Sequence, residues 1–140
     1  MTSNFDLVRK FHEVFGLPSR DSPQVKIPEE VLRISLIAEE LSEYIIAVNA
    51  GDIVEIADAL ADLLYVIYGT GLAYGIPLDR VFAEVQRSNM TKLGTDGIPI
   101  KREDGKILKG PNFQEPNIAY ILCPACNSEN GEPCIDHVRL

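Results

Sequence analysis

At 140 residues and 46% apolar, the chain has the length and composition of one ordinary domain with a real core, which sets disorder aside. Its net charge of −8 argues against general affinity for nucleic-acid backbone, which needs a basic face. No apolar run reaches the length of a membrane span, and Met1 to Asp6 lacks the basic-then-apolar layout of a signal peptide; the expectation is a soluble cytoplasmic protein.

Taken in order, Asn4 to Phe15 has the period of a short amphipathic helix, with Phe5, Val8, Phe11 or His12, and Phe15 on one face. Gly16 stops it, and 18–28 is a Pro/Ser loop. Pro28 then opens a helix with Glu29 and Glu30 in the favourable first turn, running to about Asn49. Asn49-Ala50-Gly51 forms the stop. Asp52 and Glu55 fit a capping box for the next helix, which runs to about Tyr74 before Gly75. Pro77 precedes a fourth helix from Leu78 to about Thr91. Beyond Gly94 no period is sustained, so that stretch reads as extended tail. Helices joined by short connections pack as an antiparallel bundle. The expected fold is therefore all-α, a four-helix bundle over 1–93, followed by a basic extended tail (94–122) and a cysteine-bearing end (123–140). The two central helices are apolar nearly all round, which calls for burial on several sides and predicts a homodimer or a dimer of dimers.

The charges are segregated. From Ile34 to Asp79 there is no Lys or Arg, but Glu39, Glu40, Glu43, Asp52, Glu55, Asp58, Asp62 and Asp79 all fall there. Bases return with Arg80, Arg87, Lys92, Lys101, Arg102, Lys106 and Lys109. The apolar stripe of the second helix is Val31, Ile34, Ala38, Leu41, Ile45 and Val48; at about 100° per residue, Glu39, Glu40 and Glu43 cluster opposite it. Asp58 and Asp62, four apart, share a face of the third helix. Folding the two helices back about Gly51 sets Glu40 level with Asp62 and Glu43 level with Asp58. Four converging carboxylates repel unless cations intervene, and an all-oxygen set suits Mg²⁺ or Mn²⁺. Glu55, nearer the turn, is assigned to the cap.

Glu39-Glu40-x-x-Glu43, the second acidic helix ending Ala61-Asp62-Leu63-Leu64-Tyr65-Val66, and Asn89-Met90-Thr91-Lys92 together resemble the all-α NTP pyrophosphohydrolases: MazG, dimeric dUTPase and phosphoribosyl-ATP pyrophosphohydrolase. The resemblance covers roughly Phe11 to Ile118. It implies metal-dependent hydrolysis of a nucleoside triphosphate, dUTP or another dNTP included, to the monophosphate and pyrophosphate. It makes Glu39 the residue that orients or deprotonates water, and Asn89, Lys92, Lys106 and Lys109 the substrate contacts. One departure stands out. The family's Glu-x-x-Asp, aligned on Asp62, puts Ala59 where Glu is expected. Either Asp58 substitutes, or Glu55 and Asp58 form the pair one turn back.

At the end of the chain, Cys123, Cys126, Cys134 and His137 have the spacing C-x₂-C-x₇-C-x₂-H, a complete tetrahedral zinc set. An odd cysteine count in a cytoplasmic chain argues against disulfides, so a structural Zn²⁺ knuckle is expected. A non-catalytic module that senses nucleotide, with the knuckle contacting a partner, is the alternative. A ferritin-like carrier would want Glu-x-x-His pairs, which the chain lacks.

Overall fold

The computed structural model describes residues 2–123 and is all-α. Its helices are α1 (Asn4–Phe15), α2 (Glu30–Ala50), α3 (Ile53–Tyr74), α4 (Leu78–Met90) and the single-turn α5 (Ile118–Leu122). The chain divides into two compact units, Met1–Leu78 and Asp79–Leu140. No described helix is long and apolar enough to cross a membrane.

In the first unit the local signals act as expected. Ser3 and Asp6 form a reciprocal capping box at the start of α1. Gly16, Gly51 and Gly75 end α1, α2 and α3 in the left-handed conformation. Asp52 caps α3 through Val54 N and Glu55 N. Here the expectation is only half met: Asp52 caps alone, since the Asp52 N–H donates to the Ala47 carbonyl and not to Glu55. The Glu55 carboxylate therefore stays out of the cap.

The long helices α2 and α3 pair as an antiparallel hairpin, and α1 packs on α3. Phe5, Val8 and Leu72 form a small core, with Tyr68 and Leu78 against it. Gly75 is pinned, because a Cβ there would lie 2.1 Å from the Ser22 carbonyl oxygen. The side of α2 turned to α3 is not the apolar stripe singled out above. It is Arg33, Leu36, Ile37, Glu40, Tyr44 and Ala47, all buried or half-buried. Val31, Ile34, Leu41, Ile45 and Val48 are exposed, from 46% to 79%. A second exposed seam runs along α3 through Ile53, Ala57, Leu60, Leu64 and Ile67. Sequence period identifies an apolar stripe but not which neighbour covers it; among the described residues, nothing covers this one.

Of the two candidates for the apolar face of α1, His12 is the one buried, at 2% exposure against 36% for Phe11. Its Nδ1 donates to the Pro18 carbonyl at 2.7 Å. The register that levels Glu40 with Asp62 also levels Arg33 with Gly69. Arg33 is 5% exposed, and the Gly69 backbone leaves room for both side chains. A Cβ at Gly69 would lie 2.9 Å from His12 Nε2 and 3.0 Å from Arg33 Nη1. Burial, with Arg33 and Arg9 nearby, pushes the His12 pKa down although its bond to Pro18 opposes this, so the ring is neutral at pH 7.

The second unit is built on α4, and the stretch read as extended tail is more ordered than its sequence suggests. Isolated antiparallel bridges join Leu93 to Pro99 and Lys101 to Ile107, around turns with Gly97 and Gly105 at positive φ. Glu84 holds Arg87 through two 2.8 Å bonds and accepts from the Asn117 N–H at 2.7 Å. Ser88 donates to the Gln114 carbonyl at 2.7 Å. These bonds clasp residues 114–117 to α4 and lead into α5. The period-free sequence hides the clasp because Glu84 and Ser88 reach partners 33 and 26 residues along the chain, which no repeat marks.

Candidate active site

The carboxylates expected to bind metal lie on α2 and α3 in the first unit. Glu40 is half-buried in the seam between the helices; Glu39, Glu43, Asp58 and Asp62 are exposed. The Glu40 pKa is raised, first by desolvation and then by the charges of Glu43, Asp62, Glu39 and Asp58. The acids of both helices therefore face one another across the hairpin, with Glu40 at their centre. Glu43 and Glu55 also line one groove at the turn end, with Ala47 and Asp52 beside them. On the helical wheel Glu55, Asp58 and Asp62 form a single stripe of α3. Glu55 thus stands with the other acids, as its absence from the cap allows.

Because the acidic stripes meet on one side, the exposed apolar seams, each roughly opposite the acids on its own helix, meet on the other. The hairpin has one acidic face and one apolar face. The division is not complete: Ile46, Ala47 and Ala50 line the groove of Glu43 and Glu55, and Glu40 is half-buried while the other acids face solvent.

The donor set is all oxygen, which fits Mg²⁺ or Mn²⁺ and not a soft metal. Like charges gathered round Glu40 are what a cation would neutralise. Yet no group of three or more His, Cys, Asp or Glu among the described residues is close enough to hold an ion. The acids share an electrostatic neighbourhood without closing a coordination shell.

The expected substrate contacts fall in the second unit. Asn89 and Lys92 stand at the end of α4, and Lys92 bonds through its backbone to Asn89 and Gly110. Lys106 is exposed in the second bridged turn. Lys109 already has local partners: Glu115 at 2.6 Å and the Phe113 ring, 4.3 Å below its ammonium. Of the zinc set only Cys123, at the end of α5, is among the described residues; Cys126, Cys134 and His137 lie outside them.

Sequence reasoning missed the buried Arg33–His12 pair. The available signal was positional: Arg33 is the last base before the base-free stretch, level with a glycine on the facing helix.

The family model described as phosphoribosyl-ATP pyrophosphohydrolase matches residues 8–89, which span α2, α3 and the acids Glu39, Glu40, Glu43, Glu55, Asp58 and Asp62. An uncharacterized protein of Acanthamoeba polyphaga mimivirus is 44% identical over 82 residues. That match takes in 55% of this chain and 33% of the viral protein, so the chain spans about a third of that relative's length. A crystal structure from Exiguobacterium sp. 255-15, provisionally described as an NTP pyrophosphohydrolase, is 26% identical, covers 83% of this chain and 90% of its own, and superposes with a TM-score of 0.42.

Proposed function

Because the chain belongs to the phosphoribosyl-ATP pyrophosphohydrolase family, we propose that it hydrolyses a nucleoside triphosphate to the monophosphate and pyrophosphate with Mg²⁺ or Mn²⁺. The observation that carries the reading is the gathering of acids about half-buried Glu40, whose pKa is raised by desolvation first and then by the charges of Glu43, Asp62, Glu39 and Asp58. Glu40, Glu43, Asp58 and Asp62 would hold the metal, with Glu55 beside Glu43 as a further donor. The exposed members can rotate onto an ion at small cost. The bound cation would neutralise phosphate charge. Glu39, exposed next to Glu40, would orient or deprotonate the attacking water. Asn89, Lys92, Lys106 and Lys109 are proposed as substrate contacts; for Lys109 this means exchanging Glu115 for a phosphate. Cys123, Cys126, Cys134 and His137 are proposed as a structural Zn²⁺ site on spacing and ligand chemistry alone.

The proposed assembly is a second copy packed on the apolar face. Val31, Ile34, Ala38, Leu41, Ile45 and Val48 alternate steps of three and four residues, as do Ile53, Ala57, Leu60, Leu64 and Ile67, the spacing of a helix-packing seam. Neither seam contains a charge to be buried, and two such hairpins would complete a four-helix core.

The test is incubation with a panel of NTPs and dNTPs plus Mg²⁺ or Mn²⁺, with pyrophosphate as the readout. Metal-dependent release of pyrophosphate is expected. No turnover of any member would favour the nucleotide-sensing module; orthophosphate alone would mark a different phosphohydrolase.

A further inference from the structure

Beside the acidic face is a groove that metal binding does not use. It runs between α1 and α3, where Leu7 and Val8 face Ala61, Leu64, Tyr65 and Tyr68, with Asn4 at its edge. Its aromatic wall is braced. Phe11 packs edge-on to Tyr65 with centroids 5.5 Å apart, and Phe5 packs against Tyr68 at 6.1 Å. The lining is mostly apolar, but three of its residues carry polar groups: Asn4, Tyr65 and Tyr68. None of the three makes a side-chain hydrogen bond among the described residues. Tyr65 is 39% exposed.

The groove adjoins the acids through one residue. Asp58, Ala61 and Tyr65 follow one another at i, i+3 and i+7, and Asp62 is one turn from Tyr65, so the stripe that carries the acids continues into the aromatic wall. A ligand with its phosphates at Asp58 and Asp62 would reach this wall with its other end.

We propose that the α1–α3 groove is the nucleobase subsite, in which a flat heterocycle stacks on Tyr65 while Asn4 and the Tyr68 hydroxyl read its edge. This rests on the pyrophosphohydrolase reading and deepens it: the substrate is a nucleotide held by its base, not a bare polyphosphate. Stacking on an aromatic ring is tolerant of base identity. Selection therefore falls to the Asn4 amide, which offers both a donor and an acceptor.

The experiment is calorimetric titration of the full chain with Mg²⁺ and each common nucleoside 5′-monophosphate, with pyrophosphate as the base-free control. Tyrosine emission gives a second readout, since the chain has no tryptophan. At least one monophosphate is expected to bind and quench that emission. Tyr65→Ala should weaken its binding about tenfold, the scale of one base–aromatic stack. Tyr65→Phe, which keeps the ring, should retain it, and Asn4→Ala should change the ranking of the bases. Pyrophosphate binding should be the same in all four proteins. The proposal is overturned if no monophosphate binds, as it would be if another copy filled the groove. It is also overturned if Tyr65→Ala binds as well as the parent, or loses pyrophosphate in equal measure. Failure of the catalytic reading shows elsewhere, as absent pyrophosphate release, and leaves these titrations interpretable.

Discussion

Glu40 and Leu41 are neighbours in sequence on opposite sides of one hairpin. Glu40 is half-buried among carboxylates that repel it, and no base among the described residues offsets the rise in its pKa. Leu41 is 46% exposed in a charge-free apolar seam. Both faces are unfinished, for different reasons. The acidic face lacks opposite charge, which a small cation can supply. The apolar face lacks covering surface, which takes something the size of another hairpin. Substitutions at these two positions should therefore separate chemistry from assembly.

The largest effect is expected at Glu40. Glu40→Ala should lower Mg²⁺-dependent turnover by about two orders of magnitude or more, since even partners that only orient metal ligands are worth 10- to 100-fold. Its oligomeric state by light scattering should not change. Full turnover in this variant would remove the acidic face from the mechanism.

On the other face, Leu41→Lys combined with Ile45→Lys should split the assembly, read as a fall in scattering mass. The apolar area that a partner covered would return to water, so the melting temperature should become lower and less dependent on protein concentration. A parent protein already monomeric at micromolar concentration would refute the seam as an interface.

A pH series sharpens the contrast. In the metal-free protein the Glu40 pKa is raised in the fold, so the folded state binds that proton more tightly than the unfolded chain. The favourable contribution is present below the ordinary carboxylate pKa and is lost as pH rises through the folded value. Metal-free protein should thus lose stability upward from the ordinary carboxylate range, and Glu40→Gln should flatten that dependence. Added Mg²⁺ should restore stability to the parent more than to the variant. Glu84 in the second unit has the opposite sign. Its pKa is held down at about 2, chiefly by Arg87 and then by the Asn117 N–H. Its contribution is present above the ordinary carboxylate pKa and fades as pH falls toward 2.

Helices α1, α2 and α3 were legible in the sequence because local devices bound them, such as Ser3, Gly16, Gly51, Asp52 and Gly75; α5, within the stretch read as extended tail, was not. The facing of Glu40 and Asp62 was legible because a short turn fixes the register of an antiparallel pair. Which stripe faces inward was not. Helix period ranks faces by apolarity, and the most apolar face of α2 is the one the described residues leave uncovered. Arg33 and His12 escaped notice because their burial depends on the absence of a side chain at Gly69, which no period reveals. The clasp around Glu84 escaped for a similar reason: its partners Gln114 and Asn117 are remote in sequence and carry no pattern.

The smallest effect discriminates best between the two roles open to Glu55. Asp52 alone caps α3, so Asp52→Ala should cost about 1 kcal/mol of stability, the usual value of a lost N-cap. A reciprocal capping box would make Glu55→Ala costly too. The observed bonds give Glu55 no such part, and its carboxylate instead lines the groove shared with Glu43. Glu55→Ala should therefore leave the metal-free melting temperature unchanged or slightly raised, because a negative charge leaves an acidic groove. Its effect should appear in Mg²⁺ titration as weaker binding. A variant that melts lower and binds Mg²⁺ as the parent does would return Glu55 to the cap and confine the metal site to Glu40, Glu43, Asp58 and Asp62.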